Sequence, residues 1–243
     1  MTTKRIFNVG SILLMFVSFI FMVSCDKDDD TPNDPGDTVT LNMLDEQNGH
    51  TPLGESDVYI NKANNFHTSR SLIADAGNAY GIGVKMSPKL DNLVREVAVT
   101  PGHIYQIFDP STLYDFPSGV RAVQVGTAYY KTYVVSSITK DTELTGAVVK
   151  YVLAYPDAKG LPEMNSDYGI VYDVGDEIRI ALPKGVEYFF DTSNAEYFTV
   201  SLIGNKLVVQ LKVSSNDFYE IQGTYKINIR LGNVYSSVLF TVR

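Results

Sequence analysis

Histidine is the residue type in this chain that could most readily serve as an acid, a base or a metal ligand. The three histidines, His50, His67 and His103, lie far apart in the sequence, and each stands alone in a loop or turn context. Their spacing matches no metal-binding pattern. A lone surface histidine is usually inert, so we predict no metal site built on these residues and no cofactor.

Carboxylates offer a second route to chemistry. Asp173 and the pair Asp176-Glu177 could hold Ca²⁺ through their oxygens, but they lack the spaced oxygen array of a dedicated calcium loop, so turn residues are the favoured interpretation. The chain has no phosphate-binding Gly-rich loop, no G-x-S-x-G and no H-E-x-x-H. Two carboxylates distant in sequence could still form a glycosidase pair, because they need only be neighbours in the fold. We therefore assign no catalytic residue and keep a glycosidase-like hydrolase as the alternative.

Aromatic side chains give a binding function more support. Seven of them surround a long Pro- and Gly-containing loop at 109–119, and aromatic faces beside hydrogen-bonding groups are how proteins hold sugars and other amphipathic ligands. The candidate ligand-binding residues are Tyr114, Phe116, Tyr129, Tyr130 and Tyr133. Adjacent residues on a strand point to opposite faces, so one of Tyr129 and Tyr130 should face outward. The alternative is that all these rings are core and sheet-surface residues, and the absence of Trp weakens the case for a sugar.

The N-terminal region resembles a bacterial lipoprotein signal. Lys4 and Arg5 precede an apolar run over 12–23, which is shorter than the roughly 20 residues that span a bilayer. Residues 22–25 (MVSC) are similar to a lipobox, with Met where Leu is usual, and this resemblance implies that Cys25 becomes the lipidated first residue. We therefore expect residues 1–24 to be a signal peptide and Cys25 to anchor the protein to the outer membrane.

The residues after Cys25 extend this resemblance. The acidic cluster Asp26, Asp28, Asp29 and Asp30 is similar to the surface-export signal of Bacteroidota lipoproteins, which implies that the protein faces the extracellular medium. A solvated acidic linker is the alternative interpretation. Residues 25–37 contain prolines and glycine and almost no apolar side chain, so they are expected to form a disordered tether.

Net charge excludes some partners. The chain carries 20 basic and 28 acidic residues, and removing residues 1–24 takes away two basic residues and no acid, which leaves 219 residues with a net charge of −10. Such a surface argues against nucleic acid and against electrostatic docking to anionic lipid. The attachment to the membrane must then come from the lipid on Cys25. Since that is the only cysteine, the mature chain can form no disulfide within itself.

The elements that must position these residues are strands. The chain is rich in Tyr and Val, and segments such as 38–44 and 225–231 alternate polar and apolar residues. We predict a mainly β fold with a β-rich domain over 38–160 and a C-terminal immunoglobulin-like β-sandwich over 170–243, where six strands follow turns at short intervals. The Pro- and Gly-containing segment 156–169 is the predicted boundary. Residues 87–96 (SPKLDNLVRE) are the one helix candidate, with Ser as the cap and Pro at the first position.

Two weaker resemblances complete the sequence-based expectations. Asp37-Thr38-Val39 is similar to the three-residue site at which Bacteroidota glycosylate a hydroxyl, which would make Thr38 an O-glycosylation site. The segments LNMLDEQNGHTPLGESDVYINKANNF, PGHIYQIFDPSTLYDFPSG and GTAYYKTYVV resemble a family of uncharacterised Bacteroides lipoproteins defined as a domain of unknown function. That resemblance implies source and compartment and no activity.

These observations predict a lipid-anchored, surface-exposed outer-membrane protein that acts as a non-enzymatic binding module. Its ligand would be a glycan or a surface protein partner, and its only membrane contact would be the N-terminal lipid. A structural component of a surface assembly is a further alternative, which long exposed strand edges would favour.

Overall fold

The computed structural model describes residues 37–42, 52–171, 173–191, 196–212 and 221–243. The predicted signal peptide, Cys25, the acidic cluster at 26–30 and His50 lie outside these ranges. Within them the chain forms seventeen β-strands and one short 3₁₀ turn, Pro110–Thr112, and no α-helix. The predicted mainly β fold is confirmed. None of the described residues forms a helix long and apolar enough to cross a membrane.

In chain order the strands are β1 (Asp37–Asn42), β2 (Tyr59–Ile60), β3 (Asn65–His67), β4 (Leu72–Asn78), β5 (Glu96–Ala98), β6 (His103–Phe108), β7 (Leu113–Asp115), β8 (Arg121–Gln124), β9 (Tyr129–Lys140), β10 (Glu143–Ala154), β11 (Ser166–Val171), β12 (Glu177–Ala181), β13 (Glu187–Phe190), β14 (Phe198–Ile203), β15 (Lys206–Leu211), β16 (Gly223–Leu231) and β17 (Val234–Val242).

The first part of the chain forms a five-stranded antiparallel sheet in the order β1-β10-β9-β6-β4, beside a small antiparallel sheet in the order β2-β3-β5. The small sheet packs Ile60 and Phe66 against Tyr105 and Val134 of the larger one, in a core cluster of fully buried side chains. The Phe66 and Tyr105 rings meet edge to face at 4.9 Å, a favourable aromatic geometry. Burial of these alternate residues fixes which face of each strand points inward.

The last part of the chain forms two sheets that bury their inner faces against each other. One has the order β13-β16-β17-β8-β7, with β11 also pairing with β17, and the other has the order β12-β15-β14. Their shared core contains Ile180 and Leu207 from the smaller sheet and Ile227 and Phe240 from the larger one. This is a β-sandwich arrangement, as the succession of strands and turns over 170–243 predicted.

Strand pairing crosses the predicted domain boundary at 160–170. β7 and β8, which belong to the predicted N-terminal domain, join the C-terminal sheet, and β8 runs parallel to β17 with Val123 opposite Val234. The segment 156–165 is also packed, because Leu161 is buried in the sandwich core and Asn165 donates its backbone N–H to the Ser237 carbonyl at 2.9 Å. β11 begins at Ser166, inside the segment predicted as a linker.

The predicted helix over 87–96 is wrong. Its backbone groups are held by side chains from the sheets: Gln106, fully buried, accepts the N–H of Lys89 at 2.6 Å, and Asn233 donates to the Pro88 carbonyl at 2.6 Å. A helix starting here would pair the Pro88 carbonyl internally, so the bond from Asn233 competes with helix formation, whereas the Lys89 N–H would lie in the unpaired first turn. The segment instead connects β4 to β5 without helical structure, with a turn at 91–92 and a one-residue bridge between Val94 and Ile73 of β4. Tertiary hydrogen bonds here outweigh a weak local preference.

Other differences concern short strands. The loop predicted over 109–119 contains the 3₁₀ turn and β7, and β3 is likewise only three residues long. Strands of three residues show too little alternation for sequence periodicity to reveal them.

Candidate functional site

A cleft of about 460 Å³ opens beside the tyrosine-rich end of β9. Its volume lies in the range usual for small-ligand sites. Three carboxylates, one guanidinium, three serines and two tyrosines contribute to its wall. The lining residues are Glu55, Ser56, Asp57, Arg70, Ser71, Ile107, Asp109, Pro110, Ser111, Ala128, Tyr129 and Tyr130. The cleft therefore combines hydrogen-bonding groups with an aromatic side.

Tyr130 is fixed at one side of the cleft by a close backbone approach. Gly54 has a φ of +57°, and a Cβ there would lie 2.9 Å from the Tyr130 ring and 3.1 Å from Tyr151. Glycine is needed here for both reasons. The Tyr130 hydroxyl accepts the backbone N–H of Glu55 at 3.0 Å, so the phenolic proton stays free to donate elsewhere. Burial, and next Asp37, raise the pKa of Tyr151, whose ring centroid lies 5.9 Å from that of Tyr130.

Asp57 organises the opposite wall by binding the loop over 68–71. Its Oδ1 accepts hydrogen bonds from Thr68 Oγ1 at 2.6 Å and Ser71 Oγ at 2.8 Å, and its Oδ2 accepts the backbone N–H groups of Ser69 at 2.9 Å and Arg70 at 2.7 Å. Burial alone would raise the pKa of Asp57, but these hydrogen bonds outweigh burial and lower that pKa well below its usual range. Asp57 is thus a structural residue whose ionised form is favoured by its hydrogen bonds.

Asp109 and Ser111 form the third part of the wall. Asp109 caps the short 3₁₀ turn, since its side chain accepts the Ser111 N–H at 2.8 Å and its carbonyl accepts the Thr112 N–H at 3.0 Å. Pro110 follows the cap, at a position where no N–H is required. This turn brings Asp109 and Ser111 to the wall of the cleft.

The predicted ligand-binding residues are divided by the fold. Tyr129 and Tyr130 line the cleft, and Tyr129 is buried with its ring 5.1 Å from Phe108. Tyr133 lies on the same strand, is half-buried, and does not line the cleft. One of the adjacent tyrosines is expected to face outward, but Tyr129 is buried and Tyr130 is half-buried and packs against the core of the five-stranded sheet.

Tyr114 and Phe116 belong to a separate aromatic cluster. Their rings meet edge to face at 4.8 Å, and Tyr114 also packs on Tyr235 at 5.2 Å. The guanidinium of buried Arg230 lies 5.4 Å from the Phe116 ring centroid and donates to Glu187 at 2.5 Å. Phe116 is buried, so this pair contributes to packing and does not join the tyrosines of β9 in one site.

Two histidines are not alone, contrary to the sequence-based expectation. His67 Nδ1 lies 3.3 Å from Glu96, and His103 Nδ1 lies 3.0 Å from Asp75. Hydrogen bonds from Asn65, Asn61 and His67 lower the pKa of Glu96, which is an exposed carboxylate. Both histidines are in strands, and the two pairs are in different sheets. In the described part of the chain, no three His, Cys, Asp or Glu residues are placed to hold a metal ion.

The remaining predicted positions have simple surroundings. Thr38 is exposed in edge strand β1, opposite Lys150 of β10. Asp173 and Asp176 form a turn, in which the Asp173 N–H donates to the Asp176 carboxylate at 3.0 Å. The interpretation of these acids as turn residues agrees with this geometry.

Sequence reasoning missed most of the polar wall. Glu55, Asp57, Arg70 and the serines are separated by up to 56 positions, from Glu55 to Ser111, and follow no repeating pattern. Only the Asp-Pro-Ser-Thr sequence at 109–112 carried a readable signal, because Asp followed by Pro favours a capped turn. The other residues meet through the packing of the sheets and through the hydrogen bonds between Asp57 and the 68–71 loop.

Comparisons with known proteins bear on the family and on little else. No curated protein matches the chain. Among solved structures, the I-band fragment I67-I69 from titin is similar at 12% identity and a TM-score of 0.22, covering 86% of this chain and 98% of that one, which is too low to carry an argument. The family of the domain of unknown function DUF5036 matches residues 40–243. Because that match spans most of the sequence, the chain belongs to the DUF5036 family.

Proposed function

We propose that this protein is a lipid-anchored binding module of the outer membrane that holds a saccharide in the cleft beside Tyr130. The cleft is the observation that carries the proposal. It places an aromatic side chain next to hydroxyl donors and carboxylate acceptors, which is the combination that sugar hydroxyls and their apolar ring faces require. The volume of about 460 Å³ suits a ligand of one or two sugar rings.

Membrane attachment rests on the sequence. Cys25 follows an apolar segment in a lipobox-like sequence, and several acyl chains on one cysteine would anchor the protein firmly, at about 0.8 kcal/mol for each buried methylene. The acidic cluster after Cys25 supports export to the cell surface. A surface position would bring the cleft within reach of extracellular glycans.

The test is binding of the full chain, purified in detergent, to an array of immobilised glycans. Tyr130→Phe removes the hydroxyl that faces Glu55, and Ala128→Gln places a longer side chain in the cleft. Both should weaken binding by about tenfold, which corresponds to about 1.4 kcal/mol. Tyr133→Phe is the matched control, since Tyr133 lies on the same strand outside the cleft, and it should bind as the unaltered protein does.

Thermal unfolding of each variant separates loss of the ligand contact from loss of the fold. If no glycan is retained, or if folded Tyr130→Phe and Ala128→Gln bind as tightly as the unaltered protein, the saccharide site is refuted.

A glycosidase is the second candidate, because Glu55 and Asp109 place two carboxylates in the same cleft. Glycoside hydrolysis uses such a pair, one as acid and the other as base or nucleophile. Asp57 is excluded from the acid role, since its lowered pKa keeps it ionised. Release of new reducing ends from a bound oligosaccharide, abolished in both Glu55→Gln and Asp109→Asn, would establish the enzyme. Binding of the oligosaccharide without release of new reducing ends would show that the protein is a binding module.

A further inference from the structure

Most of the described strand edges in this protein are closed to pairing with another chain. An edge strand presents unpaired backbone N–H and C=O groups, which proteins protect with bulges, charges, short length or covering segments. On β4, Ile73 exchanges both of its backbone hydrogen bonds with Val94, at 2.8 and 2.9 Å. The Asp75 carbonyl of the same strand accepts a hydrogen bond from Lys89 Nζ at 2.7 Å. These contacts occupy the outer edge of β4.

The other edges are protected in different ways. On β14, the Val200 carbonyl accepts the Tyr188 hydroxyl at 2.9 Å. β12 exposes the charged pair Glu177 and Arg179, whose side chains lie 2.7 Å apart. β11 has a register shift where it pairs with β17. The remaining edge strands, β2, β5, β7 and β13, contain only two to four residues. Length, charge, a bulge or a competing contact therefore limits pairing at each of these edges.

β1 has none of these protections. Among the described residues it pairs with β10 alone, over six consecutive residues without a register shift. It contains no Lys, Arg, Pro or Gly, and its one charge, Asp37, stands at its first position. Thr38, Val39 and Thr40 are β-branched residues, which favour a strand. The outer edge of β1 is therefore suited to accept a further strand.

We infer that the outer edge of β1 pairs with β1 of a second copy of this chain, antiparallel about a two-fold axis at Thr40. Val39 then lies opposite Leu41 of the second copy, so the residues that pack in the core of the five-stranded sheet stay on one face of the joined sheets. Exposed Thr40 lies opposite its own equivalent, and Thr–Thr pairs across strands are favourable. Asp37 lies outside the paired residues 38–42, so no acid of one β1 faces an acid of the other.

A second copy fits this edge better than an unrelated extended peptide, because the register is self-complementary. The proposed anchor at Cys25 would hold every copy in one membrane, and the chain between Cys25 and β1 reaches at most about 40 Å. The first residues of the two β1 strands would lie about 20 Å apart, so both anchors can reach that membrane. The paired segment 38–42 is smaller than the roughly 20 residues a side of a stable interface, so concentration of the copies in the membrane favours pairing. The inference goes beyond saccharide binding and does not depend on the ligand.

Disulfide cross-linking in cells that produce the full chain tests the pairing and its register. Thr40→Cys places two cysteines opposite each other on the axis, where Cα atoms lie about 4.5–5.5 Å apart, within reach of a disulfide. Thr38→Cys is the matched control on the same strand, because two such cysteines would lie about 14 Å apart. After oxidation with copper phenanthroline, a non-reducing immunoblot should show about tenfold more covalent dimer from Thr40→Cys than from Thr38→Cys. The unaltered protein, whose one cysteine is Cys25, gives the background.

Further variants separate this register from random collision. The double variant Thr38→Cys/Asn42→Cys should form the dimer again, because residue 38 lies opposite residue 42. Adding Thr40→Lys to the double variant places two like charges on the axis and should reduce the dimer about tenfold. Adding Thr199→Lys instead, at an exposed position on edge strand β14, should leave the dimer unchanged. Far-UV circular dichroism of the purified variants checks that each is folded.

Absence of dimer above background from both Thr40→Cys and the double variant would overturn the inference. Equal yields from Thr38→Cys and Thr40→Cys would also overturn it, because they would show contact without a fixed register.

Discussion

At the scale of single residues, two buried threonines differ in how their hydroxyls are satisfied. Thr132 on β9 is fully buried and its Oγ1 has no hydrogen-bond partner within the described structure, whereas buried Thr68 donates to Asp57 at 2.6 Å. A buried hydroxyl without a partner costs about 1–3 kcal/mol in proteins. The unpaired hydroxyl of Thr132 therefore destabilises the folded protein, whereas the hydrogen-bonded hydroxyl of Thr68 stabilises it.

We predict that Thr132→Val increases the free energy of unfolding by about 1 kcal/mol, because it removes the unpaired hydroxyl and suits a strand. Thr68→Val is the matched substitution and should lower the free energy of unfolding by about 2 kcal/mol, since a bond to a charged carboxylate is lost. Urea denaturation followed by far-UV circular dichroism measures both. A Thr132→Val protein that is less stable than the unaltered one would contradict the unpaired state of that hydroxyl.

Asp57 predicts a dependence of stability on pH. The pKa of Asp57 is lower in the folded protein than its value of about 3.9 in the unfolded chain. Between these two pKa values the unfolded chain binds a proton at Asp57 and the folded protein does not, so a fall in pH favours unfolding. The stabilisation by Asp57 is therefore present above about pH 4 and is lost progressively as the pH falls below it. Replacing Asp57 with Asn removes this contribution.

The measurement is the difference in urea midpoint between the unaltered protein and Asp57→Asn at pH 7 and at about pH 2.5. We expect a large difference at pH 7 that narrows in acid. Other carboxylates titrate equally in both proteins, so they cancel in the difference. A difference in urea midpoint that is the same at pH 7 and at about pH 2.5 would show that Asp57 stabilises the 68–71 loop without a lowered pKa.

At the scale of the elements, alternation predicted the strands that are long and half-buried. Segment 225–231 corresponds to β16, in which Ile227 and Ile229 are buried in the sandwich core while Lys226 is exposed and Asn228 is half-buried. The helix expected at 87–96 does not form, since Gln106 and Asn233 hold its backbone. Local preference was decisive only where no distant side chain competed for the backbone groups.

The turn between β9 and β10 stores strain that a substitution can release. Asp141 and Thr142 have φ values of 51° and 76°, and a positive φ is unfavourable for a β-branched residue. Thr142→Gly should therefore raise the free energy of unfolding by about 1 kcal/mol. Thr139→Gly, at an exposed position within β9, should lower it by about 1 kcal/mol, because glycine weakens a strand interior. Chemical denaturation measures the free energy of unfolding of both variants. The two substitutions change it in opposite directions if the turn is strained, and in the same direction if it is not.

At the scale of the whole molecule, the two halves of the chain share a sheet. β8 pairs with β17, and Asn233 reaches the connection at 87–96, so cooperative unfolding should include both halves. The division into domains at 38–160 and 170–243 stays a prediction about folding units. The anchor and the export signal also act at this scale, because they decide which compartment the cleft meets.

We predict that protease added to intact cells cuts this protein, and that changing Asp28, Asp29 and Asp30 together to Ala protects it. The physical basis is that the export machinery would recognise the acidic cluster after the lipidated cysteine. Immunoblotting of shaved cells measures the outcome, with lysed cells as the control for intrinsic protease resistance. If both forms are protected in intact cells while a known surface protein is cleaved, the protein lies on the periplasmic side of the outer membrane.

The sequence by itself determined the β class, the strands with long alternation and the family of the chain. The β class and these strands depend on local periodicity and composition. The family follows from the match of residues 40–243 to the DUF5036 family. Only the tertiary structure decided the cleft: Gly54 meets the Tyr130 ring, Asp57 gathers the 68–71 loop, and Asp109 caps its turn beside them. The physical reason is that antiparallel pairing brings together residues distant in sequence, and no local pattern records which carboxylates, hydroxyls and rings will share one wall.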